Sequence, residues 1–387
     1  MKRNLLLSLT ILLLQTIPIV SFAEVCIDGI YYNLYSSTKE AAVTHKDEVI
    51  VNHTFYNGDI TIPATVQHEG VTYNVTSIEE AAFRENYELT SVNLPNSIKK
   101  IGGAAFDGCI ELKSITIPKS VVSIGHCISD RCQKLTSIIV DKDNKVYDSR
   151  NNCNAIIHTE TNELIQGCST TIIPNTVTRI GEGAFLYLAT LTSITIPESV
   201  RSIGDNAFAY SGIKSIVIPN SVIYIGDNAF CSCHDLTSVT LSEALTSIDY
   251  NTFYDCTSLT SVTIPASITT IDMSAFQACE NLKTINLQSN TPPSIIDDFV
   301  YYKEKPFSDK ITIHVPVGNK NVYKNDELWK DYTIIDDVVI PEQTTSTANV
   351  PTSITRHPTP IFDISGKQLS APRKGINIIN GKKVNIK

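Results

Sequence analysis

The residues best equipped for chemistry are ten cysteines and eight histidines in a chain of 387 residues. Thiolates bind soft metals, attack electrophiles or pair in disulfides, and imidazole moves protons near neutral pH. The densest cluster is Cys231-Ser232-Cys233-His234, which offers three possible metal ligands or a thiol beside a base. Structural zinc needs four ligands, and no fourth lies nearby in the sequence. Side chains of neighbouring residues on one turn diverge, which works against a Cys–His catalytic pair. Asp141-Lys142-Asp143-Asn144 has the spacing of carboxylates in a calcium loop, but it lacks the glycine and the closing glutamate, so it reads as a solvated turn. There is no H-E-x-x-H, no G-x-S-x-G and no phosphate-cradling G-x-x-x-x-G-K-[ST]. The sequence therefore gives no catalytic residue, no cofactor-binding residue and no metal ligand set, and the expectation is a protein that is not an enzyme.

The cysteines point elsewhere through their spacing. Cys109, Cys132, Cys233, Cys256 and Cys279 fall at one position of a repeat of about 23 residues, seen in LTSVNLPNSIKKIGGAAFDGCIE (89–111), IKSIVIPNSVIYIGDNAFCSCHD (213–235) and LTSVTIPASITTIDMSAFQACEN (259–281). Leu188 and Ser211 take that slot in other copies, so it needs a small buried group, and free thiols meet that need. Adjacent copies would also hold a Cys233–Cys256 pair within bridging distance, so a bond there stays open. Cys153 and Cys168 flank an insertion; a stapling disulfide or core packing are both open, and Cys168 in the first slot of its repeat favours packing.

A unit this short cannot bury its own apolar face and must stack on copies of itself. Counting from the first Leu, position 13 is Ile101, Ile124, Ile180, Ile203, Ile225, Ile248 and Ile271, and position 18 is Phe106, Phe185, Phe208, Phe230, Phe253 and Phe276. Such columns arise when each coil lays the same side chain on its neighbour, and at strand spacing about ten coils make a rod roughly 45–50 Å long. Ser261-Val262-Thr263-Ile264 alternates as a strand, and Pro265 stops it. A second extended piece follows (Ile268 to Ile271), then glycine at position 14 (Gly102, Gly125, Gly181, Gly204, Gly226), expected for a turn with positive φ. The segment after it, as in Asp227-Asn228-Ala229-Phe230, is expected to be one helical turn. Two coils are stretched, around His68-Glu69-Gly70 and from Tyr147 to Glu163, and these insertions should protrude as loops or hairpins.

The predicted organisation is a signal peptide at 1–23, an N-terminal β cap at 24–56, the solenoid at 57–290, a C-terminal cap at 291–338 containing the sole Trp329, a Thr/Ser/Pro-rich linker at 339–358 and a final segment at 359–387. Lys2 and Arg3, the apolar Leu5 to Leu14 and the small-x-small Ser21-Phe22-Ala23 make the leader, with cleavage after Ala23. Cys26 lacks the preceding small residue that lipid attachment requires. Net charge is −9, or −11 once Lys2 and Arg3 leave with the leader. That balance excludes a nucleic-acid partner and simple docking on anionic lipid. No apolar run beyond the leader is long enough for a transmembrane helix in the mature chain.

The columns L-T-S-[VI]-T-I-P…S-V-x-S-I-G-x-x-A-F-x-x-C resemble the BspA-type leucine-rich repeat family of bacterial surface proteins over roughly residues 57–290, and Val146 to Ile157 resembles the elongated repeat of that family. The resemblance implies an α/β repeat solenoid: a leucine-rich-repeat-like right-handed stack of ~23-residue coils with parallel β-strands and short helical turns. It also implies export and display at the cell surface, where some relatives adhere to matrix proteins or other cells. Ile361 to Lys367 and Gly375 to Lys383 are similar to C-terminal sorting segments of type IX secretion substrates, with Asn377 departing from that pattern; a plain terminal hairpin is the alternative.

The outward strand positions carry small hydroxyls and amides, and their expected role is a low-charge face for a protein or glycan ligand. The strand-face candidates are Ser193, Thr195, Ser238, Thr240, Ser261 and Thr263, with Tyr224 and Tyr250 the nearest aromatics. Contact residues are enriched in Tyr, Trp and Arg, so Tyr147 and Arg150 of the insertion compete as loop candidates. The expected function is a secreted or outer-surface binding and adhesion module; the alternative is an envelope or assembly scaffold without an external ligand.

Overall fold

An alternation such as Ser261-Val262-Thr263-Ile264 is satisfied by an extended segment with one side in a core. The computed structural model describes residues 22–45, 56–296, 307–308 and 310–339, and the backbone of four short strands between 361 and 386. Ser261–Ile264 is a strand with Val262 and Ile264 buried and Ser261 and Thr263 exposed. It pairs in parallel with Thr284–Leu287, Ser261 beside Thr284 and Ile264 beside Leu287. The second extended piece, Thr270–Asp272, pairs in parallel with Ser247–Ile248 on one side and Ser294–Ile296 on the other. Most coils thus contribute one rung to each of two narrow sheets that run along the stack; those at 170–173 and 193–196 contribute none to the first.

Two local expectations are corrected. The glycines at position 14 do not adopt positive φ. A Cβ at Gly125 would lie 2.3 Å from the Gly103 nitrogen, and one at Gly204 would lie 2.7 Å from the Glu182 nitrogen. The glycines are there because successive coils touch backbone to backbone. The expected helical turn is also absent, because left-handed residues interrupt it twice per coil: Asn206 and Tyr210, Asn228 and Ser232, Asn251 and Asp255 all have φ between 51° and 58°. An α-helix does not survive such residues. The architecture is a stack of parallel strands and turns; Lys320–Lys324 is the one α-helix among the described residues.

Inside the stack, Phe185, Phe208, Phe230, Phe253 and Phe276 lie nearly parallel with ring centroids 5.0 to 5.4 Å apart. Phe83 and Phe106 stack likewise at 5.4 Å. The column breaks between Phe106 and Phe185, where Ser129 holds the slot, and the buried apolar residues divide into two clusters at that level. The elongated coil fills the break with an antiparallel hairpin, Ala155–His158 against Glu163–Gly167, flanked by Tyr147–Asp148. Glu163–Gly167 then pairs in parallel with Arg179–Ile180 and so rejoins the second sheet. The other stretched coil forms the hairpin Thr65–His68 and Val71–Ile78.

The N-terminal end is covered by Phe22–Ile27, Ile30–Tyr35 and Glu40–Thr44, the last pairing in parallel with Val71–Ile78. Phe22 and Ala23 sit beside Tyr35 and Leu34, so cleavage after Ala23 would shorten the first strand by two rungs. Residues 46–55 of the expected N-terminal cap lie outside the described residues, as do residues 1–21 and the linker from 340. At the other end, Thr312–Pro316 and Thr333–Val338 extend the first sheet. Trp329 is buried against Phe307, its ring 5.7 Å away, and donates its indole N–H to the Pro293 carbonyl. Ile361–Asp363, Gln368–Leu369, Gly375–Ile379 and Lys382–Ile386 form an antiparallel four-stranded sheet. No helix among the described residues is long and apolar enough to cross a membrane.

Candidate functional site

The outward face of the first sheet follows from the alternation that buries its other face. Ser193, Thr195, Ser238, Thr240, Ser261 and Thr263 are all exposed on it. Ser238–Thr240 lies in parallel beside Ser215–Val217, with Ser215 opposite Ser238 and Val217 opposite Thr240. Thr263 accepts a hydrogen bond from the Asn286 amide at 3.4 Å. At the first rung, Asp59 accepts hydrogen bonds from Ser91 at 2.6 Å and Thr90 at 2.7 Å, and these hold its carboxyl below the usual range.

Ser193 and Thr195 differ from the other four, because their segment joins no strand ladder. They line a groove of about 850 Å³ between two coils, together with Thr171, Ile172, Asn175 and Glu198. Three residues on this face were not singled out from the sequence: Ile139, Ile172 and Val217, exposed by 50%, 74% and 63%. They occupy position 5, the slot of Thr195, Thr240 and Thr263, and reading that column for its exceptions would have found them.

Of the two loop candidates, Tyr147 leaves the surface and Arg150 stays half-buried there. Tyr147 is buried, and its hydroxyl accepts the Ile124 N–H at 3.1 Å, so its ring packs beneath the insertion and offers no contact area. Arg150 grips Asp148 through two hydrogen bonds at 2.7 and 2.6 Å and reaches Asn162 at 2.7 Å. Its guanidinium is committed to holding the hairpin base. Tyr224 is buried in the second strand column and does not lie on the face.

The remaining chemical candidates serve packing. Cys109, Cys132, Cys233, Cys256 and Cys279 are buried, and each thiol donates to the carbonyl of a phenylalanine in the preceding coil at 3.0 to 3.2 Å. Burial pushes the Cys109 and Cys233 thiols up to about 12. All ten cysteines are unbonded, including Cys153 and Cys168, which pack in different core clusters. His234 turns outward to Asp255 at 2.8 Å while Cys231 and Cys233 turn inward. Asn144 is buried: its amide donates to the Pro118 and Val121 carbonyls, and its oxygen accepts from the Val146 and Tyr147 N–H groups. Among the described residues, no three His, Cys, Asp or Glu side chains gather closely enough to hold a metal ion.

Among known families, the BspA type leucine rich repeat region matches, in six copies, over residues 48–165, 164–283 and 201–327. No curated protein matches the chain. Solved structures to which it is similar include a leucine-rich repeat protein from Eubacterium ventriosum, 19% identical over 84% of this chain and 99% of that one, with a TM-score of 0.45. A leucine rich cell surface protein from Faecalibacterium prausnitzii is 20% identical over 82% and 95%, with a TM-score of 0.33. A leucine-rich repeat protein from Bacteroides ovatus is 21% identical over 80% of this chain but 66% of its own length, with a TM-score of 0.33.

Proposed function

Because the chain belongs to the BspA-type leucine-rich repeat family, we propose that it is a secreted or cell-surface binding module that holds a protein or glycan ligand on its strand face without transforming it. One observation carries this reading: Ser193, Thr195, Ser238, Thr240, Ser261 and Thr263 stand exposed on one neutral face, repeated at coil spacing. Such a face offers many weak, well-spaced hydrogen bonds, the form of recognition that a rigid solenoid supports over an extended area.

The test is retention of matrix proteins and glycans by the purified chain, compared with a variant carrying Ser193→Lys, Thr195→Lys, Ser238→Lys and Thr240→Lys. These exposed positions accept lysine without touching the core, so the variant is expected to melt normally and to lose its ligand. Unchanged binding would move the site off the strands. The leader and the final segment are read as export signals, so the protein on its producer is expected to begin at Glu24 and to lack the end of residues 359–387. Intact mass and protease accessibility on whole cells check this. A form that keeps its tail and stays inaccessible favours an internal scaffold.

A further inference from the structure

Two successive coils depart from their neighbours on the strand face, since neither 170–173 nor 193–196 joins a strand ladder. Ser193–Ile196 keeps the alternation of a strand, with Ser193 and Thr195 exposed and Ile196 buried. Yet no backbone N–H or C=O of these four residues is hydrogen-bonded among the described residues. The nearest rung is one residue earlier, where Lys214 N–H reaches the Thr192 carbonyl at 3.2 Å. The corresponding Ser238–Thr240 and Ser261–Ile264 are laddered. A segment with the in-out alternation of a strand thus borders the groove of about 850 Å³ with its backbone donors and acceptors open. The apolar exceptions of the polar column, Ile139, Ile172 and Val217, stand in the coils around it. Of the residues lining the groove, Glu198 alone is charged and none is aromatic.

We infer, taking the strand face as the binding face, that this groove receives an extended polypeptide segment of another protein, which adds as a strand beside Ser193–Ile196 and lays apolar side chains on Ile172 and Val217. Open amides in strand form are satisfied in register by another polypeptide backbone, and alternate side chains then reach the surface beside them. Exposed aliphatic side chains gathered in one place mark a surface that is covered in use. The neutral lining asks for no charged partner, and it has no ring on which a sugar would stack.

Amide hydrogen exchange on the full chain, together with panning of a displayed random dodecapeptide library, tests this. In the free chain the 193–196 amides should exchange faster than those of 261–264. Enriched peptides should alternate apolar and polar residues and slow exchange at 193–196. Their affinity should fall at least about tenfold on Ile172→Asp, a position exposed enough to leave the melting temperature unchanged. N-methylation of alternate peptide amides should abolish binding, which a purely apolar contact would not require.

Slow exchange at 193–196 in the free chain would overturn the assignment. So would a failure to enrich any peptide, or peptides indifferent to Ile172→Asp. Protection of these amides by self-association would give the groove to a second copy, and protection by a glycan would give it to sugar. If matrix proteins or glycans still bind and are lost on Ser238→Lys with Thr240→Lys, the groove assignment falls alone. If nothing binds the face at all, the binding-module reading falls with it.

Discussion

Asp130 is buried with its Oδ1 lacking a partner, and burial lifts its carboxyl from the usual 3.8 to about 7. The neighbouring Asp107 charge pushes the same way; Cys127 and Arg131 oppose it, but Arg131 is bound to Asp107 at 2.6 and 2.8 Å. A folded pKa above the unfolded one means that the folded chain binds this proton more tightly. Ionisation then disfavours the fold above pH ~7, and the penalty fades as pH falls toward ~4. The melting temperature should therefore rise as pH is lowered from 8 to 5. Asp130→Asn should flatten that slope and add up to about 4 kcal/mol at pH 8; equal slopes in both proteins would refute the assignment. At this scale the sequence was legible wherever a residue recurred. The cysteine slot is an example, since Leu188 and Ser211 show what it tolerates. Tyr147 belongs to no column, so nothing in its spacing revealed that its ring points inward. Ile172 was visible as an exception in a polar row, but its exposure depends on how far the neighbouring coils stand apart.

Among the elements, the turn after the second strand shows which reasons a sequence conceals. The glycine column was plain, yet two causes fit it: positive φ or lack of room. A Cβ at Gly226 would sit 2.1 Å from Asp205 Oδ1 and 2.5 Å from its nitrogen. Gly226→Ala is expected to cost about 2–3 kcal/mol by overpacking. Gly226→Asn should be at least as harmful, whereas a positive-φ site would accept asparagine. Urea unfolding of the two variants separates the causes. The absent helical turn has the same origin. Asn206, Asn228 and Asn251 hinted at left-handed backbone, a conformation asparagine tolerates. Tyr210 and Ala278 adopt it against their preference because the coil must close on its neighbour, a constraint written in three dimensions only.

For the whole molecule, stability in a stack is a sum of coils and the interfaces between them. Ser129 removes a ring from the aromatic column where the two buried clusters meet, so that level is expected to be the weakest interface. Phe106→Ala and Phe253→Ala should each cost about 3–5 kcal/mol, but in different halves. Calorimetry should show the first variant melting its N-terminal half early and the second its C-terminal half, each leaving the other transition in place. A single shared transition would mean that the elongated coil couples them fully. Because Ser261 meets Thr284 and Ile264 meets Leu287 in one unbroken register, a coil presents the same mating surface above and below. Nothing in such a molecule measures its own reach. Losing or doubling residues 236–258 would leave both caps seated as before and alter only the distance between the two ends. The groove beside Ser193–Ile196 would keep its distance from the N-terminal end, so recombination within the later coils could retune the length of this protein without disturbing that groove.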